Sequence, residues 1–344
     1  MATSQAVGEN TRARTPPADG HGERHGDRVA ARLVAEVAAG GLDLPLPGGG
    51  ATWSRWERLR DLAGEDLSLA RLAEGHTDAL AILAELGGPT AEPGDVWGVW
   101  AAHPPGATLT AREAGGGWRL YGAKPFCSGA DLCTHALVSA DVADGQRGLF
   151  AVDAAGATTL PGTWAAAGME ASATLTVRFD GAPAEPVGGP GDYLRRPGFH
   201  HGGAGVAACW YGGALSVARP LADRAARRGA DPHLLSAFGA VDRDLYVAES
   251  VLRRAAREID DHPRDGDRAA LLAARVRAVV AGACATALHR TEEALGAGPL
   301  AGDPVYARAT ADLAVYLRQY HADRDLAGLG ALAAHHREGD GDDR

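Results

Sequence analysis

The hydrophobic period of this 344-residue chain switches at Pro197-Gly198-Phe199, and that switch most limits what the chain can fold into. Before it, from about Trp97, apolar residues alternate in short runs: His135 to Ala140, Gly148 to Asp153, Thr174 to Asp180. Strand side chains repeat every second residue, so these runs read as half-buried strands of a small antiparallel barrel. After it the pattern is helical almost to the end. The candidate helices are His201 to Arg228, His233 to Asp260, Asp267 to Leu295 and Pro304 to Ala334. They are separated at Gly229, at His262-Pro263-Arg264-Asp265-Gly266, and from Gly296 to Asp303. Long helices with short connections predict a bundle.

Upstream of the strands the period is again helical. A helix is expected over Asp27 to Ala39, stopped by Gly40 and Gly41. A second begins at Thr52-Trp53-Ser54, where a hydroxyl is placed to cap the run carrying Trp56, Leu59 and Leu62. A third covers Asp66 to Leu86, with Leu69, Leu72, Ala73, Leu80 and Leu83 along one stripe and Gly87-Gly88-Pro89 as its stop. The fold class is therefore α+β. Its parts are a disordered tail over 1–26, an N-terminal helical domain over 27–95, a middle antiparallel β-barrel over 96–190, a C-terminal four-helix bundle over 200–334 and a frayed tail over 335–344.

Composition removes whole classes of function. A net charge of −10 argues against nucleic-acid binding, which needs a basic face. No apolar run reads as membrane-spanning, and the N-terminus lacks the apolar core of a signal peptide. The cysteines Cys127, Cys133, Cys209 and Cys284 have neither metal spacing nor the density of a disulfide scaffold. A reduced, cytoplasmic setting is the expectation, with no metal site.

The run from Gly117 to Ala130, GWRLYGAKPFCSGA, concentrates the chemistry. Two-residue periodicity places Phe126 and Ser128 on one face, an aromatic plane beside a hydroxyl. That pair suits a flat heteroaromatic ligand needing stacking cover and one hydrogen bond; an ordinary hairpin is the competing reading.

With the order of the pieces, this segment resembles the acyl-CoA dehydrogenase family of flavoproteins over roughly residues 28 to 334. The resemblance implies helices, then a barrel, then a bundle, with FAD held between barrel and bundle. It implies that Phe126 covers the flavin ring, that Cys127 lies in the same contact run, and that Ser128 bonds the N5 region. It also matches Trp100 to Thr108 to a flavin segment, in which Gly106 and Thr108 contact the cofactor, although Ala102 and His103 depart from the usual residues. Arg227 and Arg228 match an arginine that reaches the pyrophosphate, commonly across a subunit interface, so a homodimer or homotetramer is implied.

The expected reaction is oxidation of the α–β bond of an acyl-CoA thioester, a step of lipid metabolism, with electrons passed to a protein partner or to oxygen. The family's glutamate base is missing from both of its usual places, the run Gly202 to Tyr211 and the run Tyr316 to Leu326. His321, Asp323 and Asp325 are the substitutes in reach, with His321 and Asp325 as the catalytic candidates because four residues on a helix share a face. A solvated charge run is the competing reading of that segment. A flavin monooxygenase of the same fold, and a flavin-free relative without activity, remain as alternatives.

Overall fold

The computed structural model describes residues 24–106 and 108–339. Most of the tail expected over 1–26, and the end of the tail expected from 335, fall outside the described residues.

Three helices open the described chain: α1 (His25–Ala38), α2 (Thr52–Glu65) and α3 (Leu67–Leu86). Asp66 starts α3 by accepting from the Leu69 N–H at 3.0 Å, and Gly87 at φ 72° closes it in the left-handed conformation. The Thr52 hydroxyl does not cap its own helix as expected. It donates instead to the Asp260 carboxylate at 2.6 Å, tying α2 to the bundle.

Seven strands follow: β1 (Trp97–Trp100), β2 (Leu109–Ala114), β3 (Gly117–Cys127), β4 (His135–Asp141), β5 (Arg147–Asp153), β6 (Ala157–Leu160) and β7 (Leu175–Pro186). The path β4-β2-β3-β7-β5 closes because β5 pairs back onto β4. The barrel is mixed, which corrects the antiparallel expectation. β1 runs parallel to β4 from Trp97↔His135 to Trp100↔Val138, and β2 meets β4 in parallel at Thr110↔Asp141. Parallel neighbours need a crossover, and the β2–β3 hairpin supplies it. Gly122 is the tight point: at φ +120°, a Cβ there would lie 2.0 Å from the Thr108 carbonyl oxygen. No other residue lets β3 pass that close. Inside pack Trp100, Leu120, Val138, Phe150, Val177 and Phe179, with one charged side chain, Lys124, only 1% exposed.

The bundle side comprises α4 (Asp192–Arg195), α5 (Pro197–Ala225), α6 (Pro232–Asp261), α7 (Gly266–Leu295), α8 (Ala297–Gly302), α9 (Pro304–Tyr316) and α10 (Asp323–Gly339). Asp231-Pro232 and Asp303-Pro304 start α6 and α9 alike, with the carboxylate accepting from the first N–H groups and proline occupying the first turn. The single helix expected over Pro304 to Ala334 is instead two. A 3-10 turn at Leu317–Gln319 and a left-handed Ala322 at φ 43° separate them. The Asp325 carboxylate accepts from the His321 N–H at 3.0 Å and so starts a new helix where the periodicity ran straight through. α7 keeps its expected bounds to within one residue, but it carries a window of mean hydropathy 1.6 that meets the length and composition of a membrane span, where the sequence reading saw none. Here it packs against α5 and α6. Trp56, Leu59 and Leu62 of α2 join Trp210 and Leu221 of α5, Leu252 of α6 and Val276 of α7 in one core. Removing either buried indole would cost about 3–5 kcal/mol.

Candidate functional site

β3 does not end as a regular strand. Its pairing with β7 slips between Lys124↔Val177 and Cys127↔Leu175, and Phe126 falls in that bulge at φ 61°. Positive φ is costly for an aromatic residue, so the backbone spends strain to hold this ring outward. The Phe126 ring is 50% exposed. Phe126 and Ser128 are therefore neighbours through a bulge and a turn, and not through strand alternation as the sequence suggested. Cys127 turns the other way: it is fully buried, its thiol meets the Lys124 carbonyl at 3.2 Å, and burial pushes its ionisation far up.

Ser128 is anchored from two sides. The Trp100 indole N–H donates to its carbonyl at 3.0 Å. Its hydroxyl lies 3.0 Å from that of Thr174, which lies 2.7 Å from that of Ser172, which donates to the Met169 carbonyl at 2.7 Å. The Met169 N–H in turn donates to Asp312 of α9. A hydroxyl ladder thus joins the loop after β3 to the helical layer. Burial raises the Asp312 carboxyl to about 6.

The other expected contacts are placed apart. Gly106, at φ +82° with open space around it, and Thr108 lie in the β1–β2 connection, where the Thr108 carbonyl backs Gly122. His103 is exposed in the same connection. Arg227 and Arg228 are exposed just beyond the C-terminal end of α5. α5 has 29 residues, so its ends stand about 44 Å apart, and its first turn is the end near the barrel. Those arginines do not join Phe126 within one chain. His321 and Asp325 sit at the start of α10, where the His321 side chain is half exposed and its Nδ1 lies 2.8 Å from the Arg324 guanidinium. The helix begins between them, yet the His321 Nδ1 still lies 3.8 Å from the Asp325 carboxylate.

A polar cluster that sequence reading passed over lies on α3. Arg71, Glu74 and Asp78 recur at three and four residues, one face of a helix. That spacing was the available signal, hidden because charges in a helix normally face water. Here Glu74 is 6% exposed. It contacts Arg71 and accepts from the Tyr316 hydroxyl of α9 at 3.4 Å. Asp78 accepts from Arg55 of α2 at 2.8 Å. A Cβ at Gly202 of α5 would stand 3.0 Å from the Asp78 carboxylate, so a glycine lets that helix approach. Burial, reinforced by Asp78, raises the Glu74 carboxyl to about 7 against the opposing pull of Arg71. Arg277 of α7 closes the cluster's far side. It lies 4.7 Å over the Trp210 ring and donates to the Gly203 and Gln319 carbonyls at 3.0 and 2.9 Å.

The two groups of residues meet only through Arg71 and Ser128. Arg71 and Gly75 of α3, Trp97 to Val99 of β1, Cys133 and Ser128 line one narrow cleft of about 10 Å³. Beyond Cys133 an open groove of about 550 Å³ continues along Ala130 to His135 and Asp153 to Thr159. His76 next door is buried, accepts from the Trp97 N–H at 3.2 Å, and is lowered to about 4 by burial; it is a packing residue.

With helices, closed barrel and bundle in this order, solved structures supply the comparison. Dibenzothiophene monooxygenase TdsC from Paenibacillus sp. A11-2 superposes with a TM-score of 0.74 at 19% identity, over 90% of this chain and 96% of its own. Butyryl-CoA dehydrogenase from Megasphaera elsdenii gives 0.75 at 16% identity, over 89% of each chain. This is the acyl-CoA dehydrogenase fold. KijD3, in complex with FMN and a dTDP-linked amino-keto sugar, gives 0.76 at 19% identity over 90% and 91%. TdsC has also been solved with FMN and indole. At such identities the likeness is one of fold. No protein-family model matches the sequence, and no curated relative does.

Proposed function

We propose that this chain is a flavin-dependent oxidoreductase acting on a small molecule. The observation that carries the reading is Phe126, an aromatic ring held half exposed on a strained bulge beside a hydroxyl anchored by the Thr174 ladder. These residues fit a flat ring: Phe126 would lie against it, Ser128 would face its edge, and the open backbone at Gly106 would come close without a side chain in the way. A bound flavin supplies the acceptor for a hydride. The chain's own contribution is to orient that ring, exclude water and hold a proton. The FMN complexes among the structural neighbours support flavin in general. FMN and FAD are therefore both probes here.

The test is direct. Protein purified and incubated with FMN or FAD should carry flavin absorbance and gain thermal stability. A ligand at roughly 100 times its Kd adds about 2.7 kcal/mol. A colourless protein without a thermal shift would overturn the reading in favour of a flavin-free relative of this fold.

The finer reading is removal of two hydrogens from the α–β bond of an acyl-CoA-type thioester, with FAD, in a cytoplasmic homodimer or homotetramer. An assembly would let Arg227 and Arg228 reach a neighbouring copy's ligand. Bleaching of the flavin by acyl-CoA without oxygen tests it. A monooxygenase reading rests on a separate observation: α5 carries no carboxylate before Asp223, and of the carboxylates that open α10, Asp323 is exposed and Asp325 is tied to the His321 N–H. TdsC and a methanesulfinate monooxygenase from Pseudomonas fluorescens share the fold. Incorporation of labelled oxygen into product would support this branch, and flavin oxidation without it would exclude it.

A further inference from the structure

Proton transfer at such a site needs a group that takes and returns a proton near neutrality, away from water. Neither segment named from the sequence supplies one. We infer that Glu74 is the proton-exchanging group of the ligand site, a buried carboxyl on α3 between the two residues, Arg71 and Gly75, that share the narrow cleft with Ser128. This rests on the flavin reading of the Phe126–Ser128 loop.

Its surroundings fit the role. From α3, Arg71 and Asp78 act on it; Tyr316 faces it from α9, Cys209 from α5, Tyr193 from α4, and Arg277 from α7 at longer range. Burial holds the Tyr316, Tyr193 and Cys209 side chains neutral at physiological pH. Two neighbouring carboxyls do not both ionise cheaply. Asp78 has Arg55 at 2.8 Å and a side chain 21% exposed, against 8% for Glu74. The shared proton therefore rests on Glu74. Arg71 prevents that proton from being locked on, which keeps the carboxyl near 7, the range in which an acid–base group works in both directions.

The cleft between Arg71 and Ser128, about 10 Å³, has room for one water. A water there would touch Arg71, whose guanidinium contacts the Glu74 carboxyl, and this is the link between the loop and that carboxyl. In the forward step the ligand's bond to hydrogen breaks, its electron pair stays on the ligand, and the proton forms an O–H bond on the Glu74 carboxylate. The return step reverses this. Two other buried titratable groups are committed elsewhere: Asp312 to the Met169 N–H, and Lys124 to the inside of the barrel.

Isotopically labelled glutamate carboxyls followed by NMR across pH test the proposal on the full chain. One resonance, identified by its loss in Glu74→Gln, should titrate near neutrality, and its midpoint should move by about one pH unit or more when FMN or FAD binds. If Glu74→Gln does not fold, Glu74→Asp keeps the charge beside Arg71 and identifies the resonance by the same loss. In turnover the neutral limb of the pH profile should vanish in Glu74→Gln with a loss of about 100-fold or more, and should shift in Glu74→Asp. A purely structural ion pair would leave that profile in place. A native protein that binds no flavin removes the flavin reading, and this proposal with it. Flavin binding that leaves the Glu74 midpoint unmoved, or a midpoint in the ordinary glutamate range, overturns the role of Glu74 alone.

Discussion

The Lys124 ammonium, enclosed in the barrel, donates to both the carbonyl and the hydroxyl of Ser139, each at 2.7 Å. Two hydrogen bonds do not replace the hydration of a charge, so burial lowers its pKa from 10.5 to about 8. Below about 8 both folded and unfolded chains hold the proton. Between about 8 and 10.5 the unfolded chain binds more protons than the native one, so this group makes stability rise with pH across that window. The rise should reach roughly 3 kcal/mol and be absent in Lys124→Met. Urea midpoints from pH 7 upward, native against variant, measure it; parallel curves would show that Lys124 is not the source.

Phe126 should trade stability for binding. Phe126→Gly relieves the positive φ and loses little packing, since half the ring is exposed, so the unliganded chain should gain about 1 kcal/mol. Flavin affinity should fall about tenfold or more with the lost stacking surface. Thermal melts and a binding titration on the same two proteins check both signs. A variant less stable than the parent would mean the ring packs more than its exposure indicates.

The Arg55–Asp78 pair should behave as a buried ion pair. Arg55→Met leaves Asp78 beside Glu74 without its cation and should cost about 3–5 kcal/mol. Adding Asp78→Asn should recover much of that loss. Equal stability for the single and double variants, by chemical denaturation, would contradict the coupling.

Gly122→Ala should be among the most damaging one-carbon changes available. The backbone is at φ +120° and the methyl would meet the Thr108 carbonyl, so a loss of at least about 3 kcal/mol is expected. Gly116→Ala, in the β2–β3 turn with open space around it, is the control and should lose only the cost of its own positive φ, about 1 kcal/mol.

The helices were legible because their signals are local. Gly40, Gly87 and Gly229 mark their stops, and apolar spacing carries the rest. The strands β4, β5 and β7 were legible for the same reason. The parallel pairing of β1 with β4 joins Trp97 to His135, and no local pattern encodes which distant strand lies alongside. The break at Ala322 was missed because the apolar period crosses it undisturbed, while the stop is made by side-chain bonds to the backbone. At the site, Phe126 and Ser128 were found for the wrong geometric reason: alternation cannot foresee a bulge. Glu74 went unread because burial, which gives its carboxyl its chemistry, comes from α5 and α9, each more than a hundred residues away.

Both oxygens gripped by Arg277 belong to the main chain, those of Gly203 and Gln319. A clasp of that kind is blind to side-chain identity on the strands of sequence it holds. The side chain at Gln319 can therefore be exchanged, by natural drift or by an engineer, while the rivet keeping α5, α7 and that bend together stays fastened.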